Sequence, residues 1–396
     1  MKNTLTVYSD KRYIILWLCS FLTFGSLFFI ISHFEDFFKE FSIKPPFKIS
    51  SGLAVLLFSI TAGCTRFFTV KLTNKYGEYK VIVGSILINF ISCFGYYISS
   101  FFVSYSITIY IFLSFRILHG FSLIFQPVST AIITGIFLKS QRGRFLSAFS
   151  LSASIAIGLF PMLSRLLDNH FSEIFLVASM FPLAALLLMM FYPRSSTDKK
   201  QNDDSNSVLF KESFPEKIYS PILITFLISI IYGSLIVLSI KMEKDIENEG
   251  IPEGFFFLVI TIVSVFIRLI TGKYFDKINR LVLLMISAFC ATLTMIIFSF
   301  DRSLILFILG AFIFGVSRCI FTPITWAWIA DVVPDETKEY CYSINTFSTE
   351  IGIGIGALMA SIEYPEFINK YLIFAIFPAF SFIYLLSLYK FYNKTF

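Results

Sequence analysis

Twelve times along this 396-residue chain an apolar run of about 20 residues recurs, the length a helix needs to cross the hydrocarbon core of a bilayer. The runs lie near residues 13–33, 49–68, 80–100, 105–136, 145–166, 172–192, 219–240, 254–271, 281–300, 303–330, 341–362 and 368–389. In lipid every backbone polar group must be satisfied internally, and runs of this length do so as helices. A soluble chain of this size needs charge over much of its surface, whereas here 15% of residues are charged and 56% are hydrophobic, with a mean hydropathy of +0.78. The expectation is an all-α membrane protein of twelve transmembrane helices. The first run is too long for a signal-peptide core and has no small-residue cleavage site after it, so it is expected to remain as the first helix.

The net charge of +6 does not point to nucleic acid, because Lys and Arg sit in short clusters between the apolar runs, as topology determinants do. With the N-terminus inside, about 21 of them fall on cytoplasmic segments and about 8 on the opposite side, so both termini are expected in the cytoplasm. The membrane expected is a plasma membrane, a bacterial inner membrane in particular. The one long polar stretch, Pro193 to Pro221, contains SSTDKKQNDDSNS and divides the runs six and six. The domains expected are therefore an N-terminal bundle over 1–192, a cytoplasmic linker over 193–218, and a C-terminal bundle over 219–396. The halves resemble each other after their second helices. Arg66, Thr69, Lys71 and Lys75 match Arg268, Thr271, Lys273 and Lys277 at a constant offset, and the same offset sets Arg116 on Arg318. Duplicated six-helix units with a site near the midplane are a common build for secondary transporters.

Six cysteines lie singly within apolar stretches, without CxxC or a histidine at ligand spacing, so no metal or other cofactor is expected. The histidines, His33, His119 and His170, are far apart, and no Gly-rich nucleotide loop with its Lys is present, which argues against an enzyme. The 51 Phe residues need no ligand to account for them, since rings facing lipid and packing between helices do so.

Around these residues the chain resembles the major facilitator superfamily over essentially its whole length. The family's loop motif, G-x-L-x-D-R-x-G-R-K, is met by Leu72, Lys75 and Gly77, with Val70, Asn74, Glu78 and Tyr79 at the remaining fixed positions. The second half keeps Gly272, Asp276, Lys277 and Arg280. The resemblance makes Asn74, Lys75, Gly77, Gly272, Asp276, Lys277 and Arg280 the expected conformational switch loops, where a carboxylate pairing with basic residues in one state biases the transport cycle. Arg116 with Gly120 fits R-x-x-x-G in the fourth helix, an element associated with proton-coupled transport. Gly158 and Pro161 fit part of the glycine-rich element of the fifth helix in exporters, with Ser164 and Arg165 where glycines would stand, and Gly120, Gly158 and Pro161 are expected packing positions. The runs Phe149–Gly158 and Phe347–Gly356 resemble bacterial drug, arabinose-type and siderophore efflux members.

An arginine near the membrane centre costs about 2.5–3.5 kcal/mol or more unless it faces water or a partner. Arg116 and Arg318 are therefore expected to face a central cavity and make it electropositive, with His119 as a further polar neighbour. Glu350, in the middle of the eleventh run, is expected to be the one acidic residue deep in an apolar span and to carry the coupling proton, in competition with or paired to Arg318. The function expected is proton-coupled export of a small organic molecule, an anionic metabolite such as a carboxylate siderophore, by a monomer in the lipid bilayer. A multidrug efflux pump and a proton-symport nutrient importer are the alternatives.

Overall fold

The computed structural model describes residues 10–41, 50–102, 105–137, 142–167, 170–193, 216–246, 251–271, 278–300, 303–334, 338–365 and 367–394. These residues form helices and connecting turns, with no strand among them. The spans are Lys11–Ile31, Ser51–Tyr76, Glu78–Ser99, Ile107–Ile136, Arg142–Ser164, Phe171–Met190, Tyr219–Ile246, Phe255–Thr271, Arg280–Phe298, Leu304–Val332, Lys338–Ser361 and Lys370–Lys394. Nine meet a strict test of length and hydropathy and two more hold shorter apolar helices, Ala148–Ser164 and Phe255–Arg268. The remaining one, the eleventh span Lys338–Ser361, carries Glu339 and Glu350, which lower its hydropathy.

Local chemistry starts and bends these helices. Asp10 caps the first span by accepting from Arg12 N at 2.8 Å, and Asn279 caps the ninth by accepting from Leu281 N at 2.8 Å. Ser303 does the same for the tenth through Leu306 N. Gly77, with φ +83°, turns the chain between the second and third spans in a conformation that disfavours any side chain.

Two features depart from the sequence expectation. The loop expected after the first span begins with a short helix, Phe34–Phe41. Its Phe34, Phe37 and Phe38 follow the i, i+3, i+4 rule and are buried, while Glu35, Asp36 and Lys39 take the other face. Eight residues are too few to register as a span, and so this amphipathic turn is hidden in a charged stretch. The fourth span, expected as one helix over 105–136, is broken by a 3-10 turn at Phe121–Ile124 directly after Gly120.

The chain divides into two compact units, Met1–Ile49 with Ile60–Lys211, and Ser50–Ser59 with Glu212–Phe396. In the first, the rings of Phe37, Tyr96, Phe112, Phe171 and Phe175 pack with centroids as close as 4.6 Å. The second draws its seventh and eleventh spans together through glycines. A methyl on Gly233 or Gly356 would strike the carbonyl of Ile353 or Ile230, and one on Gly352 would come within 2.7 Å of Phe226 O.

Candidate functional site

In the N-terminal unit Arg116 is fully enclosed, at 0% exposure. Its guanidinium lies over the Phe34 ring, 4.7 Å from the centroid, and Nη1 is 3.4 Å from His119 Nδ1. The Tyr96 hydroxyl reaches the same His119 nitrogen at 3.0 Å. Arg116 and His119 stand three residues apart on one helical face, and the third span supplies Tyr96. Phe34, the remaining wall, arrives on the unanticipated short helix. That helix is tied down by Arg165, whose Nη1 is 3.3 Å from Asp36 Oδ2 and whose Nη2 donates to Ser32 O at 2.7 Å. Ser164 meets Ser32, hydroxyl to hydroxyl, at 2.9 Å. Of the two positions at which the chain departs from the family's glycine pair, Arg165 thus holds the short helix and Ser164 the turn leading into it, while Gly158 and Pro161 are buried in the same fifth span.

Gly120 is buried at the junction of helix and 3-10 turn. A 3-10 turn leaves carbonyls poorly bonded, and Arg66 of the second span answers one of them: Nη1 donates to Leu123 O at 3.3 Å, while Nη2 donates to the side-chain Oε1 of Gln126, in the helix that follows, at 3.2 Å. Arg66 entered the sequence argument only through its match with Arg268. The repeat was the available signal for its importance.

In the C-terminal unit Arg318 has a different setting. It lies at the middle of the tenth span, fourteen residues from either end (318 − 304 and 332 − 318), and is half-buried. Its Cζ rests 3.5 Å from the centroid of the Tyr232 ring, in the seventh span. Phe314, one turn before Arg318, stacks on the same tyrosine at 6.4 Å. Among the described residues no acceptor lies within hydrogen-bonding distance of the guanidinium. Tyr232 is 5% exposed and its buried hydroxyl also lacks a partner, a state that costs about 1–3 kcal/mol unless something completes it. Tyr232 is absent from the sequence expectation. It is one of 19 tyrosines, belongs to no motif, and becomes visible only through the arginine above it.

Glu350 is half-buried at the middle of the eleventh span, twelve residues after Lys338 and eleven before Ser361. The seventh and eleventh spans run parallel: Ser348 donates to Ile222 O, Gly352 lies on Phe226, and Gly233 lies on Ile353. Three residues before Ile353, Glu350 is displaced about 4.5 Å along the axis from the level of Gly233. The contact seen for Arg318 is with Tyr232 rather than with this carboxylate.

A second carboxylate of this unit, beyond the seventh apolar run and near the end of its helix, is fully enclosed. Glu243 is 0% exposed, and its two oxygens accept from Gly254 N and Phe256 N, each at 2.7 Å, capping the eighth span. The seventh helix continues to Ile246, six residues beyond the apolar run, because this cap satisfies a charge that hydropathy counts against it.

Of the switch-loop residues, Asn74 is half-buried, Lys75 is exposed beside the Tyr76 ring, and Gly77 makes the turn. Arg280 pairs with Asp331 at the end of the tenth span, Nε to Oδ2 3.4 Å. Gly272, Asp276 and Lys277 lie outside the described residues. No cluster of metal-ligating side chains occurs among the described residues.

Helices of membrane-spanning length in two units, each with an arginine in its fourth helix, make up a multi-pass membrane protein. The family model described as Major Facilitator Superfamily matches residues 16–357, and the chain belongs to that family. It is thus a secondary transporter of small molecules, embedded in a membrane. It is similar to a multi-drug resistance efflux pump PmrA homolog of Lactococcus lactis subsp. lactis (strain IL1403), 20% identical over 371 residues, covering 91% of this chain and 90% of that protein. Among solved structures, the xylose transporter XylE from E. coli in an inward-open conformation superposes with TM-score 0.77 at 13% identity, covering 97% of this chain and 96% of that one. The human organic anion transporter MFSD10 (TETRAN) superposes with TM-score 0.71 at 14% identity, covering 95% and 99%. At these identities both likenesses speak to the fold.

Proposed function

We propose that the chain exports a small organic anion across a plasma membrane in exchange for protons, working as a monomer with both termini in the cytoplasm. Export is supported by the efflux relative from L. lactis, similar along nine-tenths of both chains. Orientation is supported by the roughly 21 to 8 division of Lys and Arg between the two sides. Anion selectivity has one carrying observation: the half-buried Arg318 guanidinium at mid-span, with no protein acceptor among the described residues. A fixed guanidinium in a weakly solvated site pairs strongly with a carboxylate. Glu350, also at mid-span and in the same unit, is the coupling group, taking up and releasing the counter-transported proton. Arg280 with Asp331, and the loop from Asn74 to Gly77, act as the switch.

Metabolite profiling tests this reading. Cell extract and medium are compared for a deletion strain and for strains complemented with wild type or Glu350→Gln, in iron-poor and iron-rich growth. An anionic metabolite trapped in the deletion strain and released only with wild type supports the reading, and an iron chelator would identify it as a siderophore. Indistinguishable strains would sink it. The relative's name favours a second reading, multidrug efflux. A drug exporter handling hydrophobic cations would keep its activity in Arg318→Gln and lose it in Glu350→Gln.

A further inference from the structure

We propose that Arg318 and Tyr232 form a binding half-site for a monocarboxylate with an apolar body, in which the guanidinium fork holds the carboxylate and the Tyr232 hydroxyl donates a further hydrogen bond to it. The arginine is pre-set for that task. Stacking on Tyr232 at 3.5 Å fixes the plane of the guanidinium while leaving its N–H rim unused by any described acceptor. The Tyr232 hydroxyl, buried and without a partner among the described residues, belongs to the ring on which that guanidinium rests. Phe314, stacked near the Tyr232 ring and one turn before Arg318, offers apolar surface for the rest of the ligand.

Charge decides the class. One guanidinium at the middle of a membrane span is neutralised by one negative charge, whereas a phosphate dianion leaves an excess charge among apolar helices. Carboxylate geometry also suits the fork, two oxygens to two parallel N–H groups. Arg116, by contrast, is already surrounded by Phe34 and His119 and takes no part. The physiological meaning of this half-site rests on the reading of the chain as an anion exporter, but equilibrium binding tests it without reference to direction or coupling.

The experiment measures retention of radiolabelled benzoate by the full-length protein in phosphatidylcholine nanodiscs, with benzamide and inorganic phosphate as competitors. Wild type is expected to bind benzoate saturably, with benzamide, uncharged on the same ring, about tenfold weaker or worse. Arg318→Gln should weaken benzoate binding by about tenfold or more, and Arg318→Lys, which keeps charge without the fork, by less. Tyr232→Phe preserves the ring beneath Arg318 and removes only the hydroxyl, and should cost about fivefold. A wild type that holds benzoate no better than benzamide, or from which phosphate displaces the label more readily than unlabelled benzoate does, overturns the proposal. So does Arg318→Gln with wild-type binding, and unchanged binding in Tyr232→Phe removes the tyrosine from the site. Should Arg318→Gln fail to fold, the Arg318→Lys and Tyr232→Phe proteins decide the question. If binding behaves as expected while deletion strains trap no anion, the export reading fails and the half-site stands; trapped anion with unaltered binding in the variants means the reverse.

Discussion

Arg116 and Arg318 stand 202 residues apart, the same offset that separates Arg66 from Arg268, and each places its guanidinium over an aromatic ring. Their surroundings have nevertheless diverged. Arg116 is sealed by Phe34 and bonded within a His119–Tyr96 cluster, whereas Arg318 lies half-buried on Tyr232 with its donors unanswered among the described residues. On the reading proposed above, a charge enclosed with protein partners belongs to the architecture. A charge with spare donors is available to a ligand. The same residue type at matching positions of a repeat can therefore carry two different tasks, and the contacts rather than the motif tell them apart.

The largest test of that contrast is Phe34→Ala. Removing a buried phenylalanine costs about 3–5 kcal/mol, and here it also uncovers a guanidinium. Thermal unfolding in detergent should show a marked fall in Tm, and a melting curve like that of wild type would mean that the short helix does not seal Arg116. Next in size is Arg116→Gln, expected to lower stability by about 2 kcal/mol through the lost stacking and the space left behind. Arg318→Gln should stay within about 1 kcal/mol, because no described hydrogen bond is lost. Equal losses at the two positions would erase the distinction between them.

Much of this architecture was legible in the sequence. Twelve apolar runs correspond to twelve helices because hydrocarbon length and backbone satisfaction leave few alternatives. Hydropathy fails where a charge is satisfied locally. Glu243 looks like the end of a span and is in fact a buried cap, and Glu35, Asp36 and Lys39 conceal the apolar face of the short helix. The repeat located both arginines but was silent on their partners, since Phe34 and Tyr232 come from unmatched positions and carry no motif. Ser164 and Arg165, departures from the family pattern, acquire a physical reason only with Ser32 and Asp36 opposite them.

Asp36→Asn gives a finer measure of the sealed arginine. The Arg165–Asp36 pair is 16% and 21% exposed at the side chains, and Arg165 keeps its bond to Ser32 O when the carboxylate is neutralised. The expected loss is about 1 kcal/mol or less, read as a small drop in Tm, with the short helix still in place. A loss comparable with that of Phe34→Ala would make this ion pair, rather than the aromatic face, the principal anchor.

The smallest effect is a control for how little a partly exposed charge pair contributes. Partial burial raises the Asp10 carboxyl, but its hydrogen bonds to the Arg12 side chain and backbone and the charge of that guanidinium outweigh this, and the net result lies below the ordinary value. A depressed folded-state pKa means stabilisation that is present above the unfolded value of about 3.9 and is lost as pH falls through the lower, folded one. Comparing wild type with Asp10→Asn from neutral pH to about pH 3 should show a wild-type advantage at neutrality that fades on acidification. Solvent screening holds it to about 0.5 kcal/mol or less. An advantage that grows toward acid would invert the sign and remove Asp10 as a charge-assisted cap; one as large as the Arg116 effect would show that exposure is no guide to which charges in this chain are structural.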